Sequence, residues 1–268
     1  MEASKQSVYE FWNEASCGEK AGLAAPTFES YQAHSAWRYS LEPRILEFVP
    51  FQAYAGKKVL EIGVGLGSDH QKFAEAGAVL TGIDLTERAV DHTRRRLDLF
   101  GLKSDLRVAD CENLPFADDQ FDLVYSWGVL HHTSDTARGV DEVYRVLKPG
   151  GNARIMIYHR YSMVGCMLWI RYALLRLRPS EGLTQIYARY LESPGTKAFT
   201  VREIKHMFRR FKDCRVDISL GCADLLRSHV GQRHGGVILR LAKAVWPRWF
   251  LRQFLSGLGL NMTIVATK

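Results

Sequence analysis

The chain has 268 residues, of which 47% are hydrophobic, 24% charged and 11% aromatic, a balance that excludes a disordered, collagen-like or coiled-coil protein. Its net charge of +7 hides an asymmetry: residues 1–150 carry 16 Lys and Arg against 23 Asp and Glu, and residues 151–268 carry 20 against 6. An acidic front and a basic back therefore call for separate explanations.

Residues 1–55 begin MEASKQSVYEFWNEASCGE, without the basic region and apolar run of a secretory signal, and are expected to form a helical preface or lid. Residues 56–268 are expected to form one α/β domain. In it KKVLEIG reads as a buried strand, DHQKFAEAG as a helix ended by Gly77, AVLTGID as a second strand, and ERAVDHTRRRLDLFG as a helix ended by Gly101. DLRVAD, QFDLVYSW and NARIMIYH continue as strands, with DTARGVDEVYRVLKPGG as the helix between the last two. Such alternation implies right-handed crossovers and a mostly parallel sheet, whose ligands sit at the carboxyl ends of the strands.

Beyond Tyr161 the pattern loosens. SMVGCMLWIRYALLRLR predicts a helix, TVREIKHMFRRF a helix capped by Thr200, and CRVDISL and NMTIVATK two strands; residues of about 161–198 and 222–258 are insertions. The apolar stretch from Tyr161 to Leu177 is broken by Arg171 and falls short of the roughly 18–20 apolar residues of a membrane span. Five cysteines, odd in number and without a C-x-x-C pair, suggest neither a zinc ribbon nor a disulfide framework; reduced thiols in a cytoplasmic protein are expected, Cys17 as a neutral thiol, and no metal site.

The strongest signal is Glu61-Ile-Gly63-Val-Gly65-Leu-Gly67 at the end of the first strand. Glycines here allow a sharp turn and close approach of a ligand to main-chain N–H groups. The third glycine comes one residue early for the dinucleotide fingerprint, because Ser68 follows it. The charges nearby are also wrong for a pyrophosphate: Glu61, Asp69 and Asp84 surround the loop, and between Lys58 and Arg88 the only Lys or Arg is Lys72. That suits a cation such as the sulfonium and ammonium of S-adenosylmethionine. Asp84 ends the second strand, where its carboxylate can accept from ribose hydroxyls, and Asp110 ends the third, where it can accept from an adenine amino group.

VLEIGVGLGSD, TGIDLT, VADCENLPF, FDLVYSWGVLHH and VLKPGG together resemble the ordered motifs of class I S-adenosylmethionine-dependent methyltransferases, of the ubiquinone/menaquinone-biosynthesis type that acts on small molecules. The resemblance covers about residues 57–160. It implies a Rossmann-like seven-stranded sheet of order 3-2-1-4-5-7-6 with strand seven antiparallel. It also implies that Glu61, Gly63, Gly65 and Gly67 line the methionine portion of the cofactor and Asp84 the ribose. Asp110 would meet the adenine, with Leu85, Cys111 and Trp127 completing the set and Cys111 contributing backbone.

Methyl transfer from a sulfonium is an in-line displacement, so a protein chiefly aligns the partners, excludes water and removes a proton where needed. His132, after strand four, is the expected base. Similar phosphobase methyltransferases use a histidine at the matching strand end, which favours His132 over His131. His159, ending strand five, is a second candidate acid or base. Trp37, Arg38, Tyr39, His131 and Tyr158 are expected to contact the acceptor, Arg38 through a carboxylate of acceptor or cofactor.

The basic back offers Met163–Arg178 and Val237–Leu258, where Arg240, Lys243, Arg248 and Arg252 interleave with Trp246, Trp249, Phe250 and Phe254. This suits an anionic amphipathic acceptor, a lipid-like one included, or a peripheral membrane contact. Nucleic acid ranks second, because no RNA-binding module is evident and strand four lacks an N/D-P-P-Y motif. The alternatives to a small-molecule methyltransferase are an RNA methyltransferase and a non-catalytic cofactor-binding scaffold. The sequence leaves the oligomeric state open.

Overall fold

The computed structural model describes residues 5–227 and 246–268. Seven strands, β1 (Lys58–Ile62), β2 (Val79–Asp84), β3 (Asp105–Val108), β4 (Phe121–Trp127), β5 (Leu147–Tyr158), β6 (Asp213–Ser219) and β7 (Asn261–Thr267), form one sheet of order β3-β2-β1-β4-β5-β7-β6. The pairs from β3 through β5 are parallel, and β7 runs antiparallel to both β5 and β6. This is the expected topology. Because β1 lies between β2 and β4, the connections leaving β1 and β4 diverge, and a cleft opens at their carboxyl ends.

The central strands are apolar runs because both of their faces are covered. Leu60, Ile62, Val124, Ile155 and Ile264 pack against Val140, Val143, Ile204 and Phe208 on one side. On the other, Val59, Leu123 and Tyr125 meet Phe73, Ile45 and Phe51. The flanking helices are α5 (Ser68–Glu75), α6 (Glu87–Leu99), α7 (Thr136–Val146) and α10 (Val201–Met207). Thr86, Asp135 and Thr200 cap α6, α7 and α10 through side-chain oxygens, and Thr200 forms a full capping box with Glu203.

The preface folds as α1 (Lys5–Glu14), α2 (Glu19–Gly22), α3 (Phe28–Leu41) and α4 (Arg44–Phe48), with α1 and α3 at the carboxyl ends of the strands and Ile45 of α4 on a face of the sheet. The first insertion supplies α8 (Met163–Tyr172) and α9 (Leu183–Tyr190), which pack on each other through Leu168, Ile186 and Tyr187. The helix expected over 162–178 is shorter. It stops at Tyr172, which stacks on Tyr190 with ring centroids 3.9 Å apart, and a 3-10 turn at Leu174–Arg176 then leads to Leu177 at φ 56°. Trp169 donates its indole N–H to the Glu181 carbonyl at 3.0 Å, so the return of α9 fixes where α8 must end.

Part of the second insertion, including Arg240 and Lys243, lies outside the described residues. What is described there is α11 (Arg248–Phe254) and a short 3-10 turn, Ser256–Leu258.

Candidate functional site

A cavity of about 810 Å³ lies at the carboxyl ends of the strands. The sheet order arranges its walls: Asp110, Asp84 and the glycine loop follow β3, β2 and β1, then Trp127 and His132 follow β4, and Tyr158 ends β5. Glu61, Gly63, Gly65, Gly67, Asp84, Leu85, Asp110, Cys111 and Trp127 all line it.

The loop is glycine-rich because its backbone is left-handed at Gly63, Gly65 and Gly67, with φ of 82°, 53° and 76°. Asp84 holds it in place, accepting from Gly65 N at 3.2 Å through one carboxylate oxygen and from Thr86 N and Oγ1 at 3.1 and 3.0 Å through the other. Burial nevertheless raises the Asp84 pKa from its ordinary value.

Glu61 is buried with its Oε2 2.9 Å from His70 Nδ1. His70 Nε2 lies 2.8 Å from Ser104 Oγ, whose own proton goes to the Leu80 carbonyl at 2.8 Å. The ring proton therefore sits on Nε2, leaving Nδ1 to accept from a protonated Glu61. Burial acts in the same sense on both partners, pushing Glu61 well up and His70 down to about 3.

Asp69 differs from its neighbours. Its carboxylate is buried among Arg38 Nη2 at 2.8 Å, Tyr125 Oη at 2.8 Å and Tyr39 Oη at 3.0 Å. Burial would raise its pKa, but the Arg38 charge and these hydrogen bonds hold it below the ordinary value. Asp69 is thus already balanced, and the attraction of the site for a cation falls to Glu61 and Asp84. Arg38 lines the cavity, but its guanidinium is committed to Asp69 rather than turned to a ligand carboxylate. Tyr39 does not line the cavity and serves Asp69 instead. Trp37 does line it, packed against Gly18 and Gly22.

The preface closes over both halves. Lys5 of α1 pairs with Asp110 and, at 3.0 Å, with Glu112, and Val8 and Trp12 line the cavity. Arg96 ties α3 to the glycine loop. This fully buried guanidinium donates to the carbonyls of Leu66 and Tyr31 (both 2.8 Å), to Gln71 Oε1 (2.7 Å), to Ser68 Oγ (2.9 Å) and to Ser35 Oγ. Sequence reading missed Arg96, which stands in a run of three arginines on a helix and carries no local sign of burial.

On the β4–β5 side of the cavity, His132 meets Trp12 edge-on with centroids 5.2 Å apart. Its Nδ1 lies 2.8 Å from Ser193 Oγ and 3.2 Å from Thr196 Oγ1, and its Nε2 3.4 Å from Glu192 Oε2. Tyr158 donates to Glu192 Oε2 at 2.8 Å. Glu192, a cavity residue on the segment after α9, also went unread, because nothing near it in sequence marks a site. His131 stacks on Tyr158 behind the cavity wall instead of lining it. His159, expected as an acid or base, is likewise absent from the wall; it is buried, with Nδ1 3.3 Å from the Gly259 carbonyl, and has no access to the cavity. Cys17 faces the cavity, and the low-polarity cavity wall around it and the nearby Glu192 charge raise its thiol pKa, so it is neutral.

Comparison with known proteins agrees with this architecture. A family profile described as a methyltransferase domain matches residues 60–155. A ubiquinone biosynthesis O-methyltransferase of Thiobacillus denitrificans is 36% identical over 169 residues, 62% of this chain and 71% of that protein. A demethylmenaquinone methyltransferase of Clavibacter sepedonicus is 38% identical over 107 residues, 38% of this chain and only 41% of the relative, so the shared span is well short of that protein's length. The crystal structure of an S-adenosylmethionine-dependent methyltransferase from Mesorhizobium loti, 18% identical, shares the fold with a TM-score of 0.56 over 89% of this chain and 100% of that one. With its ordered motifs, its sheet order and its identity to the Thiobacillus protein, the chain belongs to the class I S-adenosylmethionine-dependent methyltransferases of the ubiquinone and menaquinone biosynthesis type.

Proposed function

We propose that this chain transfers the methyl group of S-adenosylmethionine to a small, amphipathic acceptor by in-line displacement. The observation that carries the reading is one continuous cavity joining the glycine loop, Asp84 and Asp110 to a pocket walled by His132, Tyr158 and Glu192. Glu61 and the loop glycines would hold the methionine portion, Asp84 the ribose and Asp110 the adenine, with Leu85, Cys111 and Trp127 around them. The preface acts as a lid on a domain spanning 56–268 and excludes water from the sulfonium. His132, oriented by Ser193 and Thr196, acts on the acceptor's nucleophile together with Glu192.

Val164, Met167, Leu168, Leu226 and Leu260 line the same cavity with Arg171, which suits an apolar body bearing an anionic or polar group. The quinone-pathway relatives support an acceptor of this class. Exposed Leu174, Leu175, Leu177, Trp249, Phe250 and Phe254 alternate with Arg176, Arg178, Arg248 and Arg252, which supports peripheral contact with an anionic membrane from the cytoplasmic side. Among the described residues no helix is long and apolar enough to cross a membrane.

The test is to incubate the purified chain and methyl-labelled cofactor with cell extract, then separate lipid, small-molecule, RNA and protein pools. Label is expected in the lipid or small-molecule pool and lost with Asp84→Ala. Label confined to RNA would reverse the acceptor class, and label in no pool would leave a cofactor-binding scaffold.

A further inference from the structure

One feature beside the cavity is left unexplained by cofactor binding. His131 is fully buried, yet neither of its ring nitrogens has a hydrogen-bond partner among the described residues. A neutral imidazole carries one N–H and one lone pair, and leaving either unmet in the interior is unfavourable because the group has given up water without replacement. The ring is held in place by stacking on Tyr158, centroids 3.8 Å apart, and lies 4.2 Å from the His132 ring. Stacking fixes its plane and leaves the in-plane nitrogens unsatisfied.

The neighbours are arranged around the same point. Ser193 and Thr196 occupy Nδ1 of His132 and leave Nε2 turned toward Glu192 Oε2 at 3.4 Å. Donor atoms of His131, His132 and Glu192 all lie within 4.8 Å of one another. A hydrogen-bonded His132–Glu192 pair would account for two of these groups and leave His131 orphaned. A cation shared by all three takes up the His131 lone pair as well, leaving only its ring N–H unmet.

We propose that His131, His132 and Glu192 form a binding site for one divalent transition-metal ion of the Zn²⁺ class. Two imidazoles and one carboxylate are a Zn²⁺ donor set, whereas Mg²⁺ and Ca²⁺ prefer all-oxygen shells. Bonds of about 2.0–2.1 Å place donors about 3.4 Å apart around a tetrahedral ion. The His132–Glu192 separation of 3.4 Å already matches, and the remaining donors, within 4.8 Å, need close by no more than about 1.4 Å. The outer contacts are those such a site uses: hydroxyls that set the His132 ring, and the Tyr158 hydroxyl donating to Glu192. His132 and Glu192 line the cavity, so the ion's open position faces the acceptor. There it would hold an acceptor oxygen and favour its deprotonated form, so that His132 acts on the nucleophile through the ion it binds. This last role rests on the methyl-transfer reading; the binding of the ion does not.

The full chain, stripped with chelator, is titrated with ZnCl₂ by calorimetry, and its zinc content is measured after gel filtration. One ion per chain is expected, with affinity reduced at least ~10-fold in both His131→Ala and Glu192→Gln while S-adenosylmethionine binding, the check on folding, is retained. Co²⁺ in place of Zn²⁺ should give the visible absorption of a low-symmetry four-coordinate site, lost in Glu192→Gln. Cys17→Ser should bind Zn²⁺ like the parent chain. Absence of stoichiometric zinc, uptake unaffected in both ligand variants, or uptake lost only in Cys17→Ser would each overturn the site. No acceptor or turnover enters these measurements, so they can fail while methyl transfer stands.

Discussion

At Gly63 two constraints coincide: φ is 82°, and a Cβ there would stand 2.1 Å from Val129 Cγ2. An alanine must therefore strain the backbone and push β1 away from the loop after β4, the two walls between which the methionine portion would lie. Gly63→Ala should weaken S-adenosylmethionine binding by at least ~10-fold, about 1.4 kcal/mol, and equilibrium dialysis showing parental affinity would remove the loop from the cofactor site. Glu61 yields a second expectation. Its proton must leave if the carboxylate is to meet the cofactor's ammonium, and Asp84, also raised by burial, contributes in the same sense. Cofactor binding should release protons and tighten as pH rises through the raised pKa values. Calorimetry in buffers of different ionisation enthalpy measures the release directly; zero release, or unchanged pH dependence in Glu61→Gln, would contradict the assignment. These residues were legible because motif and strand end coincide within a few positions. Arg38 was not: its role depends on Asp69, brought to it by α3 and α5, and a sequence read locally left it free to bind a ligand.

Element boundaries were legible where periodicity and a cap agree, as at Thr200, and blurred where a distant partner ends an element, as where Tyr190 meets Tyr172 at the end of α8. The preface shows the same division. Its helices follow from pattern, but what binds α3 to the domain is Arg96, 55 residues beyond the end of α3. Arg96→Met retains the aliphatic stem and deletes donors to two carbonyls and three side chains. Buried acceptors left unmet should cost about 3 kcal/mol or more. The expected signature is local: amides of α3 and of the Gly65–Ser68 loop lose hydrogen-exchange protection together while β4 and β5 keep theirs. Loosening of α3 alone, with the loop unchanged, would show that Arg96 stabilises the helix without coupling the lid to the cofactor site.

Across the whole molecule the charge asymmetry takes on a spatial meaning. Acidic residues of the front half converge on the strand ends as Glu61, Asp84 and Asp110, where a cationic cofactor would sit. The basic excess of residues 151–268 instead accompanies exposed apolar side chains, with Leu175 74%, Leu177 89% and Trp249 73% exposed. A merely solvated basic face has no need of such residues, since exposing them to water is unfavourable by about 25 cal/mol per Å². An anionic bilayer offers a place for both: phosphates for Arg176, Arg178 and Arg252, and the headgroup boundary for leucine and tryptophan. Each basic residue near such a surface contributes about 1 kcal/mol, and the contribution is screened by salt. The chain should therefore sediment with phosphatidylglycerol vesicles and not with phosphatidylcholine vesicles, and 0.5 M salt should release most of it. Trp249→Ala combined with Leu177→Ser should lower the bound fraction at low salt while leaving S-adenosylmethionine affinity unchanged, because neither residue lines the cavity. Equal sedimentation with both lipids would reduce the basic back to a solvated surface and leave the acceptor to reach the cavity from water.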